Sequence, residues 1–509
     1  MRQLILGFLI TCLFLQLLVL PVSAQPVTAD DARAVAQNWI ALKIQQQGNW
    51  SGSPTAQIGE IQEFKQGDRV IGYFCPVKPK GFLVISLRRE LAPVKAYSDT
   101  DNLDPDANDG LTDLIKLQMA DILDVIEQEA GPVASVSSAE VTPLMEFNYL
   151  GSWDVLDTNA SAFQYQLQAD HIESNYQQGG ILLTTQWHQG EPYYNEVPVP
   201  SPSIPCKNAH CAVGCTATAG AQVMKFWDWP PYGVDSSYSD TYDWPHMANQ
   251  YIWDAGQSRW ENDIGNPLTQ ANIDAVTELN HEVGVAAGMV YCANINTCES
   301  GAWPANLLSA YKDNFRYASP GSLVYRRDYT AVGWFDLLKE QFNRNWPVVW
   351  HPYDEHVVAG DGWREYYVGP DLHREYHINY GWANRGANAW YGLDGIPSEK
   401  PSMENILIDI YPAPALGWWL SGTYPLQAFP YRYFDADAYG DSATFSEGQY
   451  LQFLPGVKAT CNSGTGSSIR VDGSGSANTR LFTRGDPSKG MLIRAGTLKL
   501  NPGGSIRLP

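Results

Sequence analysis

The stretch Cys211-Ala212-Val213-Gly214-Cys215-Thr216-Ala217-Thr218-Ala219-Gly220-Ala221-Gln222-Val223-Met224-Lys225-Phe226-Trp227 decides how this chain is read. Small residues surround Cys215, and an amphipathic pattern begins directly behind it. The spacing predicts a helix over Thr216 to Trp227 with the Cys215 sulfur at its first turn. Unpaired N–H groups and the positive end of the helix dipole favour an anion there, which draws a thiol toward thiolate. A nucleophile needs that form. A buried or disulfide-bonded cysteine that begins a helix is the competing explanation, and this segment by itself leaves both open.

A thiolate nucleophile also wants a histidine base and a group to orient it. His356 begins the run His356-Val357-Val358-Ala359-Gly360-Asp361-Gly362-Trp363, and a second strand pattern follows at Tyr376-His377-Ile378-Asn379-Tyr380, ahead of Gly381-Trp382. Antiparallel pairing of the two would bring His356 beside Asn379. Asn379 could then hold the ring tautomer, with Trp382 shielding the contact from water. His377 is the rival base. Gln189 lies 26 residues before Cys215 in Trp187-His188-Gln189-Gly190-Glu191-Pro192-Tyr193. Its amide and the Cys215 N–H could bind a developing oxyanion.

Around this centre, composition narrows the class. The chain has 509 residues, a formal charge of −22 and 18 Trp. That length gives two to four domains with ample core, and excludes a disordered chain. The acidic surface repels phosphate backbones and anionic membranes, so no nucleic-acid partner is expected. Residues 1–24 read as a secretory signal: Arg2, an apolar run from Leu4 to Leu20, and Val22-Ser23-Ala24 before the cut. No later stretch approaches the roughly 20 apolar residues of a transmembrane helix. The expected product is secreted, extracellular or at the cell surface. Cys12 leaves with the signal, and seven cysteines remain. Cys206 with Cys211, and Cys292 with Cys298, are near enough in sequence to close small disulfide loops. Zinc spacings are missing, so no metal and no cofactor are expected. Cys75, Cys215 and Cys461 have no obvious local partner, and a bridge from Cys211 to Cys215 would defeat the nucleophile.

Three regions follow the signal. Residues 25–145 alternate helical and strand patterns and end in a Ser-, Ala- and Val-rich stretch, Gly131 to Ala139, that reads as a linker. Residues 146–415 order helices before strands, the mark of an α+β domain with a helical and a sheet half. Residues 416–509 are Gly- and Ser-rich with short strands, and Gly448 to Gly456 is echoed by Ala495 to Leu508, an internal repeat. From Lys458 onward there are eight Lys or Arg against two Asp, so this all-β tail is basic and forms a separate module.

Taken in order, Gln189 in Trp-x-Gln-x-x-Pro-Tyr, Gly214 to Ala219 through Lys225, His356 before Asp361-Gly362, and Asn379 before Gly381-Trp382 resemble the streptopain-like cysteine peptidases. The resemblance covers about residues 28 to 412. It implies a papain-like α+β peptidase domain, Cys215 as nucleophile, His356 as general base, Gln189 at the oxyanion and Asn379 near the histidine. The family commonly shows Asn-Trp-Gly-Trp where this chain has Asn379-Tyr380-Gly381-Trp382. Tyr380 keeps an aromatic face, and the departure leaves the details of His356 packing and of the nearby substrate subsite open. Strand patterns at Lys78 to Ser86 and Pro93 to Ser98 resemble the family's inhibitory propeptide, which implies a domain that covers the cleft until it is cut off. The tail resembles β-rich extensions of exported peptidases and is expected to meet the cell surface or secretion machinery.

The reading that results is a secreted cysteine endopeptidase made as a zymogen, with protein or peptide substrates and its own propeptide as inhibitor. Two alternatives remain: acyl transfer of transglutaminase or amidase type on the same Cys/His/Asn site, and a non-catalytic adhesion protein on a decayed peptidase scaffold.

Overall fold

A computed structural model describes residues 26–411, apart from 170–171, 231, 235–236, 239, 318–320, 354–355, 383–387 and 397–403, and beyond 411 only strands between 418 and 507. The expected signal peptide lies outside the described residues.

The chain opens with α1 (Ala29–Gln47), whose N-terminus is closed by a Thr28/Asp31 capping box. Strands β1 (Gln57–Ile58), β2 (Gln62–Gln66), β3 (Arg69–Lys78), β4 (Phe82–Ser86) and β5 (Val94–Ser98) follow, then α2 (Gly110–Glu129), α3 (Ser138–Val141), α4 (Leu150–Leu156), α5 (Ala160–Gln168) and β6 (Glu173–Gly179). Next come α6 (Cys215–Trp227), the small hairpin β7 (Ile252–Asp254) and β8 (Arg259–Glu261), α7 (Gln270–Ala286), a second hairpin of β9 (Val290–Asn294) and β10 (Glu299–Gly301), and α8 (Pro304–Asp313). The sheet half comprises β11 (Ser322–Tyr325), α9 (Ala331–Asn343), β12 (Val348–Tyr353), β13 (His356–Val368), β14 (Asp371–Asn379), β15 (Asn388–Gly392) and β16 (Asn405–Ile408). This is the expected α+β class, with helices before strands.

One twelve-stranded sheet runs through both ends of this order: β1-β3-β4-β5-β15-β14-β13-β12-β16-β11, with β2 on β3 and β6 on β13. Helices cover both faces. On one side α2 and α9 pack through Leu114, Ile115, Leu123, Trp334 and Phe335; on the other Trp39 of α1 meets Trp153 of α4 and Phe163 of α5 in a shared core. Burial on two faces explains why β4 is the unbroken apolar run Phe82-Leu83-Val84-Ile85. A separate core of α6, α7 and α8, rich in aromatic side chains, makes the helical half.

The stretch read as a linker is packed. Val133 and Val136 are buried, their carbonyls accept Arg88 Nη1 at 2.7 and 3.0 Å, and Ser137 with Glu140 forms the capping box of α3. Composition was a poor guide because two valines and one buried arginine suffice to seat the segment. Beyond residue 411, ten strands pair in parallel, six in one ladder and four in another. The two copies of the expected repeat place strands Tyr450–Phe453 and Thr497–Leu500 in different ladders, and their Pro-Gly portions lie outside the described residues.

The seam between β5 and β15 is short, Trp390 opposite Tyr97 and Tyr391 opposite Ala96, and buried charge reinforces it. Lys95 pairs with Asp394 and donates to Gly392 O at 3.0 Å, while Lys43 donates to Tyr366 Oη at 2.7 Å and Glu375 Oε1 at 3.4 Å. Removing one partner of such a pair leaves a charge buried alone. Lys95→Ala is therefore expected to destabilise the uncut chain by about 3–5 kcal/mol in urea unfolding. Lys65→Ala, at an exposed pair with Glu63, is expected to leave the midpoint in place.

Candidate active site

Cys215 is the first residue of α6, as the small-residue pattern predicts. Gly214 makes that entry possible. Its φ is +92°, and a Cβ there would stand 2.6 Å from the Met289 side chain and 3.1 Å from Ser300 O, so only glycine fits. His356 is the first residue of β13 and is half-buried. Gln189 sits in the turn after Trp187. Half-buried His188 shapes that turn: desolvation lowers its pKa to about 4, and the neutral ring accepts the Gly190 N–H on Nδ1 at 3.1 Å.

Cys215, His356 and Gln189 line one cavity of about 600 Å³ together with Tyr380 and Trp382. The backbone N–H groups of Val357 and Thr216 favour negative charge on the Cys215 sulfur, and the Thr216 hydroxyl donates to Ala302 O at 2.7 Å. Val357 is the residue after His356, so the thiol and the imidazole are brought together by the start of one strand. The His356 ring lies 4.4 Å from Tyr380 and 5.6 Å from Trp382. The opposite wall is made by Asn294, Thr297, Glu299 and Ser300 of the β9–β10 hairpin.

The N-terminal part of the chain forms part of the cavity's lining. Asn108, Asp109, Gly110, Asp113, Leu114 and Leu117, at the start of α2, line it as well. A Cβ on Gly110 would touch the Trp382 ring at 3.6 Å. Burial in turn raises the Cys215 thiol pKa above its ordinary value, outweighing the hydrogen bonds that favour the thiolate. The shift is opposite to the lowering expected from the helix N-terminus, because desolvation is the largest influence on this thiol.

β13 and β14 pair antiparallel as expected, with Ala359 opposite Asn379. Asn379 is buried and its amide is engaged by neighbours other than those the sequence suggested: Nδ2 donates to Thr185 O at 2.7 Å and Gln222 Oε1 at 3.0 Å, and Oδ1 accepts Gly381 N at 3.2 Å. His377, the rival base, is buried away from the cavity lining, with Nδ1 2.6 Å from Asp361 Oδ1 and its ring against Trp390. Gln222 was missed. It stands seven residues, two turns, beyond Cys215 on the same helix face, a spacing that could have drawn attention to it.

The local cysteine loops require correction. Cys206 bonds Cys298 and Cys211 bonds Cys292, across 92 and 81 residues, while Cys215 and Cys75 are free thiols. The β9–β10 hairpin lies along the 206–212 segment, with Cys206 N donating to Ile295 O at 3.0 Å and Ala212 N to Cys298 O at 2.9 Å. Each cysteine therefore faces a partner on the other segment. Closing a loop of that length constrains the unfolded chain by about 4.5 kcal/mol in chain-entropy terms, and the second bridge, nested with the first, adds less.

Unreduced peptide mapping is expected to recover these two linked pairs, with no Cys211–Cys215 peptide. In the folded, uncut chain, iodoacetamide should modify Cys215 along a pH curve whose midpoint lies above that of an ordinary thiol, because burial penalises the thiolate. Buried Cys75, pushed up to about 12, should stay unmodified through neutral pH.

Residues 187–391 match the Peptidase C10 family, and residues 24–122 match the Spi protease inhibitor family. The chain is similar to streptopain of Streptococcus pyogenes, 27% identical over 222 residues, 41% of this chain and 54% of the relative. It is also similar to the thiol protease/hemagglutinin PrtT of Porphyromonas gingivalis, 23% identical over 405 residues, 76% of this chain and 40% of that protein. The chain thus spans about half the length of the curated relatives it matches. Among solved structures, a fragment of Prevotella intermedia prointerpain A aligns at 20% identity and a TM-score of 0.44, covering 70% of this chain and 98% of that one. Residues 187–391 are thus similar to the streptopain-like cysteine peptidases of the Peptidase C10 family, and residues 24–122, ahead of them, to Spi-type inhibitors.

Proposed function

We propose that the chain is the zymogen of an exported cysteine endopeptidase. The observation that carries this reading is the meeting, in one cavity, of Cys215, His356 and Gln189 from three distant parts of the sequence, under a helix of the inhibitor segment. In the uncovered enzyme, the Cys215 thiolate attacks a peptide carbonyl and the tetrahedral oxyanion is held by the Gln189 amide and the Cys215 N–H. His356 takes the thiol proton and gives it to the leaving amine, leaving a thioester on Cys215. Water, deprotonated by His356, then releases the acid and restores the thiol.

The inhibitor segment acts in two ways on this reading. Asp109 to Leu117 occupy space a substrate would use, and the burial they contribute favours the unreactive thiol. Activation then requires a cut between about residues 130 and 180 and departure of the N-terminal part. Two long-range disulfides support an oxidising compartment, in keeping with export. Among the described residues no helix is long and apolar enough to cross a membrane. The basic tail is assigned a separate attachment role at the cell surface.

The purified wild-type chain is expected to shorten itself at its N-terminal side and then hydrolyse casein. Cys215→Ala should remain full-length and lose at least about 10⁴-fold in turnover. Self-processing and casein hydrolysis by Cys215→Ala at the wild-type rate would sink the assignment.

A further inference from the structure

We propose that Gln222 is a positioning residue of this site: one fully buried side-chain amide fixes both the turn that carries the aromatic wall of His356 and the irregular segment that presents Gln189. The inference rests on the peptidase reading given above and adds a residue with a stated route of action.

The geometry is specific. Gln222 Oε1 accepts three bonds, from Thr185 Oγ1 at 2.9 Å, Trp187 N at 3.3 Å and Asn379 Nδ2 at 3.0 Å, and Nε2 lies 3.4 Å from Asn379 Oδ1. Asn379 Nδ2 also reaches Thr185 O at 2.7 Å, which closes a triangle of Gln222, Asn379 and residue 185. Each corner belongs to a different part of the site. Gln222 is rigidly joined to Cys215 by two turns of α6. Thr185 and Trp187 lead directly into Gln189.

The third corner leads to the histidine. Asn379 Oδ1 accepts the N–H of Gly381, whose φ of +74° and close approach to α6 (a Cβ would meet Thr218 Cγ2 at 3.2 Å) make any other residue strained there. That turn places Tyr380 and Trp382 against the His356 ring. A loss at Gln222 would strand three buried donors at once, and the triangle would relax by moving Gln189 or the aromatic wall relative to the sulfur. Misplacements of about 1 Å cost catalysis on the order of 100-fold.

Four variants of the full chain test this: Gln222→Leu, Gln222→Glu, Asn379→Ala and the Leu/Ala double variant, with Thr185→Val in reserve. The readouts are peptide hydrolysis and the pH dependence of iodoacetamide alkylation of Cys215, both after the N-terminal part has been removed by an added protease. Gln222→Leu should lower kcat by about 10- to 100-fold with KM little changed, and should shift the alkylation curve. Gln222→Glu keeps the acceptor oxygen and should recover most of kcat. Adding Gln222→Leu to Asn379→Ala should cost less than about threefold more, because both act through one network. If Gln222→Leu does not fold, Thr185→Val, which removes a single donor, should still lower kcat measurably with an unchanged thermal midpoint.

Wild-type kcat and an unmoved alkylation curve in Gln222→Leu would overturn the inference, as would fully multiplicative losses in the double variant. Alkylation needs no turnover. A wild-type chain that hydrolyses nothing, while Gln222→Leu still shifts alkylation, would reject the peptidase reading and keep the positioning role.

Discussion

Trp390 paired with Tyr97 and Tyr391 with Ala96 turn two sheets into one, and the relation between the N-terminal segment and the cavity depends on that seam. Two residue pairs are a weak joint. What sets their register is the complementary charge buried around them. Lys43 and Lys95 come from the N-terminal side, Glu375 and Asp394 from the peptidase side, and Tyr97 bridges Glu375 at 3.0 Å and Arg364 at 2.8 Å. Buried pairs of this kind add little net stability over apolar side chains, and they penalise any arrangement that separates them. Desolvation is strong enough to lower the Lys43 pKa to about 8 despite its carboxylate partner. The seam also covers the edge of β15, which would otherwise offer unpaired backbone groups.

The same placement decides the state of the thiol. A helix N-terminus stabilises an anion by up to about 2 kcal/mol in a partly buried setting. Burial of a thiolate can exceed that. In the covered form burial wins at Cys215, although Val357 and Thr216 donate toward the sulfur. Those donors belong to α6 and to the start of β13, both outside the covering segment. On the proposed reading, departure of the covering segment would lessen the burial at Cys215 and leave those backbone donors in place.

What could be read from the sequence was local or sequence-adjacent. The α6 pattern, the antiparallel neighbours β13 and β14, and the Gln189 turn each lie within a window where periodicity or a short connection speaks for itself. Helix and strand cores were legible, and β13 and β14 run further than their apolar runs because Tyr366 and Glu375 are buried polar members of the same strands. Nonlocal facts were not legible. Cysteines close in sequence looked like partners, but the hairpin sets each against a residue more than 80 positions away. Gln222 resembles any polar helix residue, since its burial is created by Asn379, 157 positions on. The seam at Tyr97 joins residues nearly 300 apart, where no pattern along the chain can report pairing.

The free thiol at Cys215 acquires a structural meaning from residues 211–214. Were Cys211 on the same helix as Cys215, the two would be neighbours at i and i+4. The left-handed Gly214 breaks the chain's direction instead, and the extended residues before it bond to alternate sides: Ala212 N to Cys298 O, Val213 N to Gln189 O at 3.1 Å. This short segment is thus held between the disulfide-anchored hairpin and the turn of Gln189. Cys211 is directed into its bridge with Cys292, away from the neighbouring thiol, while Cys75 is buried in the N-terminal core. Oxidising conditions that form the bridges have already consumed the sulfur nearest to Cys215 in sequence. The frame that builds one wall of the cavity is therefore also what leaves its thiol unpaired.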